Sequence, residues 1–285
     1  MASSRHRFAI WMCIIGAATL TIGIGVASGA KKLKTASDSA AIDFEDDGTA
    51  TARCAQGTKA ISGGFEGEVG IENPSDPFVV PFGSHRVGGR EWSTSAMNFE
   101  DTGDITSFAY CRDAKVKTVT ESTTVEDFDE NDSETATCPQ GYKAISGGFD
   151  NPDFGYNTPF GPGIFPTASR KSGKRAWTVD VSNPGNDSGI LEVSVNCRKG
   201  KGLKTRQEDT FIGGPGLHDA TADCRVRQRV LSGGFEIDLI ADPEDVEIFT
   251  SKKVGKRGWT VEAGDFESET TLTAFAYCEK KKKKK

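Results

Sequence analysis

Six cysteines and a recurring set of lysines and arginines are the residues of this 285-residue chain whose types and spacing suit chemistry. Cys54, Cys138 and Cys224 lie 84 and 86 residues apart, and Cys111, Cys197 and Cys278 follow each of them in turn. An even set at regular spacing, with no C-x-x-C pair, points to disulfide bonds rather than to zinc. Beyond residue 30 only two histidines occur, His85 and His218, and there is no H-E-x-x-H run. Ser-His-Asp catalysis lacks its sequence frame too, because there is no G-x-S-x-G elbow and no histidine that recurs. No catalytic residue, metal site or cofactor is expected, and the two histidines read as surface loop residues.

Carboxylates are plentiful. Glu45, Asp46 and Asp47 form one group, Glu126, Asp127, Asp129, Glu130 and Asp132 a second, and Asp242, Glu244 and Asp245 a third. Paired acids can hydrolyse glycosides, but only at a separation in space that sequence does not give. Calcium is the other chemistry such loops serve, although no EF-hand pattern is present. Solvated acidic loops are the plainer reading.

The sharpest recurring polar feature is cationic. Arg86 and Arg90, then Arg170, Lys171, Lys174 and Arg175, then Lys252, Lys253, Lys256 and Arg257 fall in three matching runs that end at Trp92, Trp177 and Trp259. If the three runs face one way they form a multivalent surface for anionic glycans or cell-wall polymers. The alternative is that charged tips keep hairpins soluble and strand edges unpaired. Each tryptophan could stack on a sugar, but each also begins an alternating strand, which favours core packing. The arginine two residues earlier then shares the strand face and is placed for a cation–π contact.

These residues sit in a repeat of about 85 residues present three times. Each copy places Ala two residues before its first Cys (Ala52, Ala136, Ala222). Each then carries SGGF at Ser62 to Phe65, Ser146 to Phe149 and Ser232 to Phe235. The intervening segments alternate as half-buried strands do: Trp177, Val179 and Val181 share one face, as do Leu191, Val193, Val195 and Cys197. The Gly pair inside an apolar strand predicts a bulge or the close approach of another backbone. Gly88, Gly173 and Gly255 mark hairpin tips. The fold class is therefore all-β, with five or six short antiparallel strands and one disulfide per copy. The boundaries run 31–115, 116–202 and 203–279, followed by a lysine tail at 280–285.

Two regular pairing schemes exist for the cysteines. Pairing within copies closes loops of about 57 residues and pairing across copies loops of 27, and loop entropy separates them little, at roughly 4 kcal/mol per bridge in either case. The within-copy set, Cys54 with Cys111, Cys138 with Cys197 and Cys224 with Cys278, gives each copy its own staple. The copies are read as sandwich-like modules packed together, with a single pseudo-threefold β-prism as the alternative. The string of Cys138 to Phe149, C-P-x-G-x-K-A-I-S-G-G-F, resembles the repeats of the vitelline membrane outer layer family, a secreted threefold β-prism, in its Cys and GGF elements. It is more similar to uncharacterised bacterial secreted repeat proteins with the order Cys, GGF, Trp, Cys. The present repeat is much longer than the vitelline one, and neither resemblance supplies a site.

Export is read from the N-terminus, where Arg5 and Arg7 precede an apolar stretch from Phe8 to Val26 and small residues up to Ala30. That stretch is nearly long enough to span a bilayer, so an uncleaved anchor is the alternative to a signal peptide at 1–30, and the only route to a membrane. Cys13 falls inside it. Cysteine usage agrees with an oxidising, extracytoplasmic location, secreted or at the cell surface. The whole chain carries a formal charge of −6, residues 31–285 carry −8, and without the six terminal lysines the charge is −14. Such an acidic body excludes specific nucleic-acid binding. The expected function is a non-catalytic secreted or cell-envelope protein that binds a polysaccharide or an anionic surface polymer. A coat or matrix protein that self-associates is the second reading and an extracellular hydrolase the third.

Overall fold

The computed structural model describes residues 32–281 except 71–75, 155–162, 239–245 and 266–268. The N-terminal stretch read as an export signal or anchor and the last four lysines lie outside the described residues. The first copy contains β1 (Lys34–Ile42), β2 (Asp47–Arg53), β3 (Lys59–Gly67), β4 (Val79–Val87), β5 (Glu91–Asn98) and β6 (Gly103–Arg112). The second contains β7 (Lys117–Val125), β8 (Asp129–Thr137), β9 (Tyr142–Asp150), β10 (Phe165–Arg170), β11 (Ala176–Asn183) and β12 (Gly189–Lys199). The third contains β13 (Lys204–Gly213), β14 (Gly216–Asp223), β15 (Gln228–Asp238), β16 (Val246–Val254), β17 (Gly258–Asp265) and β18 (Glu269–Lys280). Each copy thus has six strands, and the cysteines pair within copies: Cys54 with Cys111, Cys138 with Cys197 and Cys224 with Cys278.

No copy closes a sheet alone. Each contributes its first, third and sixth strands to one sheet and its second, fourth and fifth to another. The three six-stranded sheets run β1-β6-β3-β16-β17-β14, β13-β18-β15-β10-β11-β8 and β2-β5-β4-β9-β12-β7. Every sheet therefore has a seam at its middle where two copies meet: β3 with β16, β15 with β10, and β9 with β4. The copies pack together as one pseudo-threefold body, and the first also keeps apolar clusters of its own between its two half-sheets, around Trp92 and around Ile42. An open three-stranded half-sheet presents unpaired backbone groups, and the six halves of the three copies satisfy one another in pairs by closing a ring. The outer strands β1, β7 and β13, with β2, β8 and β14 at the other ends, are left as edges, and their Ser, Thr and charged residues suit that position.

The SGGF run builds the axis of this ring. Phe65, Phe149 and Phe235 meet edge to face, each pair of ring centroids 6.2 Å apart, a geometry that favours aromatic quadrupoles. The serine of each run donates to the copy before it: Ser62 Oγ to the carbonyl of Leu231 (2.6 Å), Ser146 Oγ to that of Ile61 (2.8 Å) and Ser232 Oγ to that of Ile145 (2.5 Å). The two glycines have separate jobs. A Cβ on Gly63, Gly147 or Gly233 would stand 2.0–2.1 Å from the indole of Trp92, Trp177 or Trp259 in its own copy. A Cβ on Gly64, Gly148 or Gly234 would stand 2.3–2.4 Å from a carbonyl oxygen of the neighbouring copy, on Ser251, Ser84 or Ser169. Both expectations for the pair hold: another backbone does approach, and strand register shifts beside the run, between Ala60 and Ser62 and between Val230 and Ser232.

The tryptophans are core residues, each no more than 2% exposed, and each Nε1–H donates to a serine eight residues earlier: Ser84, Ser169 or Ser251. Two of those tryptophans also pack edge-on against a tyrosine of the neighbouring copy, Trp259 on Tyr110 and Trp177 on Tyr277. Those phenols accept hydrogen bonds from the backbone N–H of Lys253 and Lys171, each 2.7 Å long. In the second copy the corresponding residue is Asn196, too short for that reach. There Arg86 crosses the seam to Thr118, which donates to Asn196.

Candidate functional site

The seams fix the direction of every copy. In β3 and β16, Phe65 lies opposite Ser251 in antiparallel register, so the hairpin tip after Val254 projects at the same end as Lys59 and the Cys54–Cys111 bridge. The other two seams repeat this arrangement. The three hairpin tips and the three disulfides thus share one pole, and the turns between β1 and β2, β7 and β8, and β13 and β14 share the other.

Charge follows that division. At the disulfide pole the exposed cations include Lys59, Lys115 and Lys117, then Lys174, Lys199, Lys201 and Lys204, then Arg225, Arg227, Lys256 and Lys281, and they outnumber the exposed acids beside the bridges, Asp113 and Asp223. At the opposite pole the exposed charges are acidic: Asp43, Glu45, Asp46, Asp47, Glu68 and Asp104, then Glu126, Asp127 and Asp187, then Asp238 and Glu269. Opposite charge is therefore gathered at the two ends of one rigid framework, although the net charge is small.

The ten candidate cations lie at or just below the disulfide pole but are not equally available. Arg86 donates to the carbonyls of Ala60 (2.8 Å) and Gly89 (3.0 Å) as well as to Thr118, and burial pulls its guanidinium below its ordinary pKa. Arg90 clamps the carbonyl of Cys54 through Nε and Nη2, and Arg175 does the same to Cys138 through Nε. These bonds replace the cation–π contact expected of the two arginines, because a loop carbonyl beside the disulfide is the stronger acceptor in reach. Arg170 is held between Asp180 (2.9 Å) and Glu236 (2.8 Å). Lys252 pairs with Glu66 and lies 5.9 Å from the Phe108 ring. Lys253 donates to the carbonyl of Gly255. Lys171 is half-buried, and burial, then the nearby Lys143, lower its pKa. Lys174 and Lys256 stand exposed at the tips. Arg257 lines an open groove of about 460 Å³ together with Lys256, Asp223, Thr221, Val254 and Lys281.

Several of these side chains form a repeated seam contact. The acid that follows each SGGF faces a base of the neighbouring hairpin: Glu66 with Lys252, Glu236 with Arg170, and Asp150 with His85, where Nδ1 and Oδ1 are 3.6 Å apart. Burial raises the Asp150 carboxyl, His85 acts against that rise and Glu192 adds to it.

An ionic cluster on the axis was not among the residues singled out from sequence. Arg112, Arg198 and Glu279, each directly after the last cysteine of its copy, converge there. Glu279 accepts from Arg112 Nη1 (2.8 Å), Arg198 Nη2 (2.9 Å) and Arg229 Nη2 (2.9 Å). Burial pushes the Glu279 carboxyl up, but Arg112, Arg229 and Arg198 outweigh it and hold the group at about 2. The signal was present as the residue pairs CR, CR and CE at matching positions. Only the ring closure reveals that three such positions meet.

The remaining candidates separate. His218 lies in β14, with Nε2 3.0 Å from the Gly214 carbonyl, and His85 lies in β4, so both are half-buried strand residues and not the surface loop residues expected. Among the described residues no three acids, histidines or cysteines are grouped as metal ligands, and Asp242, Glu244 and Asp245 lie outside them. No family model and no characterised protein matches this chain.

Proposed function

We propose that this chain is a non-catalytic binding protein of the extracytoplasmic space whose cationic pole adsorbs to an anionic surface polymer, such as an acidic polysaccharide or a wall polymer. The observation that carries the reading is the gathering of exposed lysines and arginines from all three copies at one end of an otherwise acidic body. Three weak patches on one framework act together, and a polymer that spans them gains avidity without any deep pocket. Several candidate cations are spent on carbonyls and carboxylates of the fold. The binding role therefore falls on the exposed set, chiefly Lys174 and Lys256 at the tips with Arg225 and Arg227 beside them. Three disulfides fit an oxidising compartment, and the N-terminal sequence supplies a route to it.

The test is binding of residues 31–285, with and without Lys280 to Lys285, to dextran sulfate, polygalacturonate and neutral dextran at low and high salt. Binding of both versions to the two anionic polymers only, weakened at least tenfold by the double substitution Lys174→Glu and Lys256→Glu, is the expected result. Equal retention on neutral dextran, or binding that disappears with the tail, would refute it.

A further inference from the structure

We infer that the acidic pole is a docking surface for the cationic pole of a second copy, so that molecules stack head to tail along the pseudo-threefold axis. The inference starts from side chains that the fold leaves uncovered. Phe44, Phe128 and Phe211 are 56%, 64% and 66% exposed. One comes from each copy, and all three lie toward the acidic pole: Phe44 and Phe128 in the first turn of their copies, and Phe211 within β13, two residues before its end. Single exposed aliphatic residues are ordinary, but three exposed phenylalanines toward one pole, one from each copy, mark an interaction face.

The turns that carry them are anchored. In the first copy, buried Asn98 donates through Nδ2 to the carbonyls of Ile42 (2.9 Å) and Asp101 (2.7 Å). In the second, buried Asn183 does the same to Glu126 (2.9 Å) and Asp187 (3.0 Å). Phe128 itself is held at a φ of 54°, a left-handed conformation that a bulky residue adopts only where its surroundings enforce it. The backbone segments that present Phe44 and Phe128 are thus held in place before any partner arrives, which lowers the entropic cost of binding.

The occupant is named by charge. Asp43, Glu45, Asp46 and Asp47 surround Phe44 in sequence, and Glu126 and Asp127 precede Phe128. A matching partner needs apolar patches set among cations, and the other end of this same chain has them. Val226 is 76% exposed between Arg225 and Arg227, and Val254 is 46% exposed between Lys253 and Lys256. Both of these valines belong to the third copy, and Val87, 39% exposed, is the counterpart of Val254 in the first, so a stacked partner meets apolar surface among cations on these two copies. Unlike surfaces that meet in this way form a heterologous interface, which leaves a free pole at each end and continues into a filament rather than stopping at a dimer.

Stacking uses the cationic pole assigned above to polymer binding, so polymer would compete with it, and the test contains no polymer. Residues 31–285 with disulfides intact are followed by sedimentation velocity over a hundredfold concentration range, at low and at high salt. Growth past the dimer at low salt, reversed by high salt, is expected. Two variants then isolate the poles. The first carries Phe44→Ser, Phe128→Asn and Phe211→Ser, and the second Lys256→Glu, Arg225→Glu and Arg227→Glu. All six positions are exposed or at a surface turn, and unchanged melting curves would establish that both variants fold. Each variant alone should remain monomeric, and a mixture of the two should give a one-to-one dimer and nothing larger, because each retains the pole that the other lacks. A single monomeric species at every concentration and salt would overturn the inference, as would assembly that halts at a dimer in the unmodified chain or an unaltered assembly by the phenylalanine variant.

Discussion

Glu279 of the third copy lies 2.8 Å from Arg112 of the first, and the pair closes the ring of copies at the cationic pole. Arg198 of the second copy bonds the other carboxylate oxygen, so one acid ties all three repeats together across 167 residues of sequence. The Glu279 carboxyl titrates at about 2 in the fold against an ordinary value of 4.5. A depressed carboxylate contributes stability that is complete above about pH 4.5 and is lost as the pH falls toward 2. The size is about 2–3 kcal/mol. Glu279→Gln should therefore lower the stability measured by urea unfolding at pH 7 by that amount. The difference from the unmodified chain should shrink as the pH drops below 4.5 and be small at pH 2.

Glu247 presents the opposite case. It stands where the first copy has Val80 and the second has Phe165, and burial pushes its carboxyl up to about 8. The unfolded chain ionises this group near 4.5 while the fold keeps it protonated, so its effect is a loss of stability as pH rises from 4.5 to 8. Glu247→Val, which restores the residue of the first copy, should stabilise the protein by about 1–2 kcal/mol at pH 7 and flatten the pH dependence over that window. Thermal melts of both proteins at pH 5 and pH 8 measure the difference.

The first glycine of each SGGF run should tolerate no side chain. An alanine at Gly147 would place its Cβ 2.1 Å from the Trp177 ring, and the indole cannot retreat without losing its hydrogen bond to Ser169. Gly147→Ala should cost about 1–3 kcal/mol or more through overpacking. Gly202→Ala, in open space within a boundary segment, should be neutral or slightly stabilising. Chemical denaturation of the two variants side by side makes the comparison.

Shared sheets make the three copies one folding unit. Phe149→Ala removes one ring from the axial trio and should cost about 3–5 kcal/mol. The loss should appear as a shift of a single unfolding transition, with tryptophan fluorescence and backbone circular dichroism moving together. Separate transitions for separate copies would contradict the seam pairings of β3 with β16, β15 with β10 and β9 with β4. A seam substitution offers a gentler probe. His85→Lys gives the seam between β4 and β9 the amine-to-carboxylate contact that Lys252 and Glu66 make elsewhere, and should add up to about 1 kcal/mol.

The repeat, its strands and its cysteine set were legible in the sequence because each rests on local regularity. Strand alternation repeats every two residues, the SGGF and tryptophan positions recur at nearly constant spacing, and an even set of cysteines at regular spacing reads as bridges. The hairpin cations were legible as a group for the same reason. What each cation does was not, because that depends on which carbonyl or carboxylate comes within about 3 Å. Arg90 was spent on Cys54, Arg170 on Glu236, and Lys174 on nothing but solvent exposure. Only tertiary structure decided that the copies exchange half-sheets. A strand's pattern tells which face is buried, but not which chain segment lies at its edge, since backbone hydrogen bonds carry no residue identity. From that one choice follow the axial phenylalanines, the convergence of Arg112, Arg198 and Glu279, and the separation of the charges into two poles. All of these join residues that are far apart in sequence and are brought together by closure of the ring.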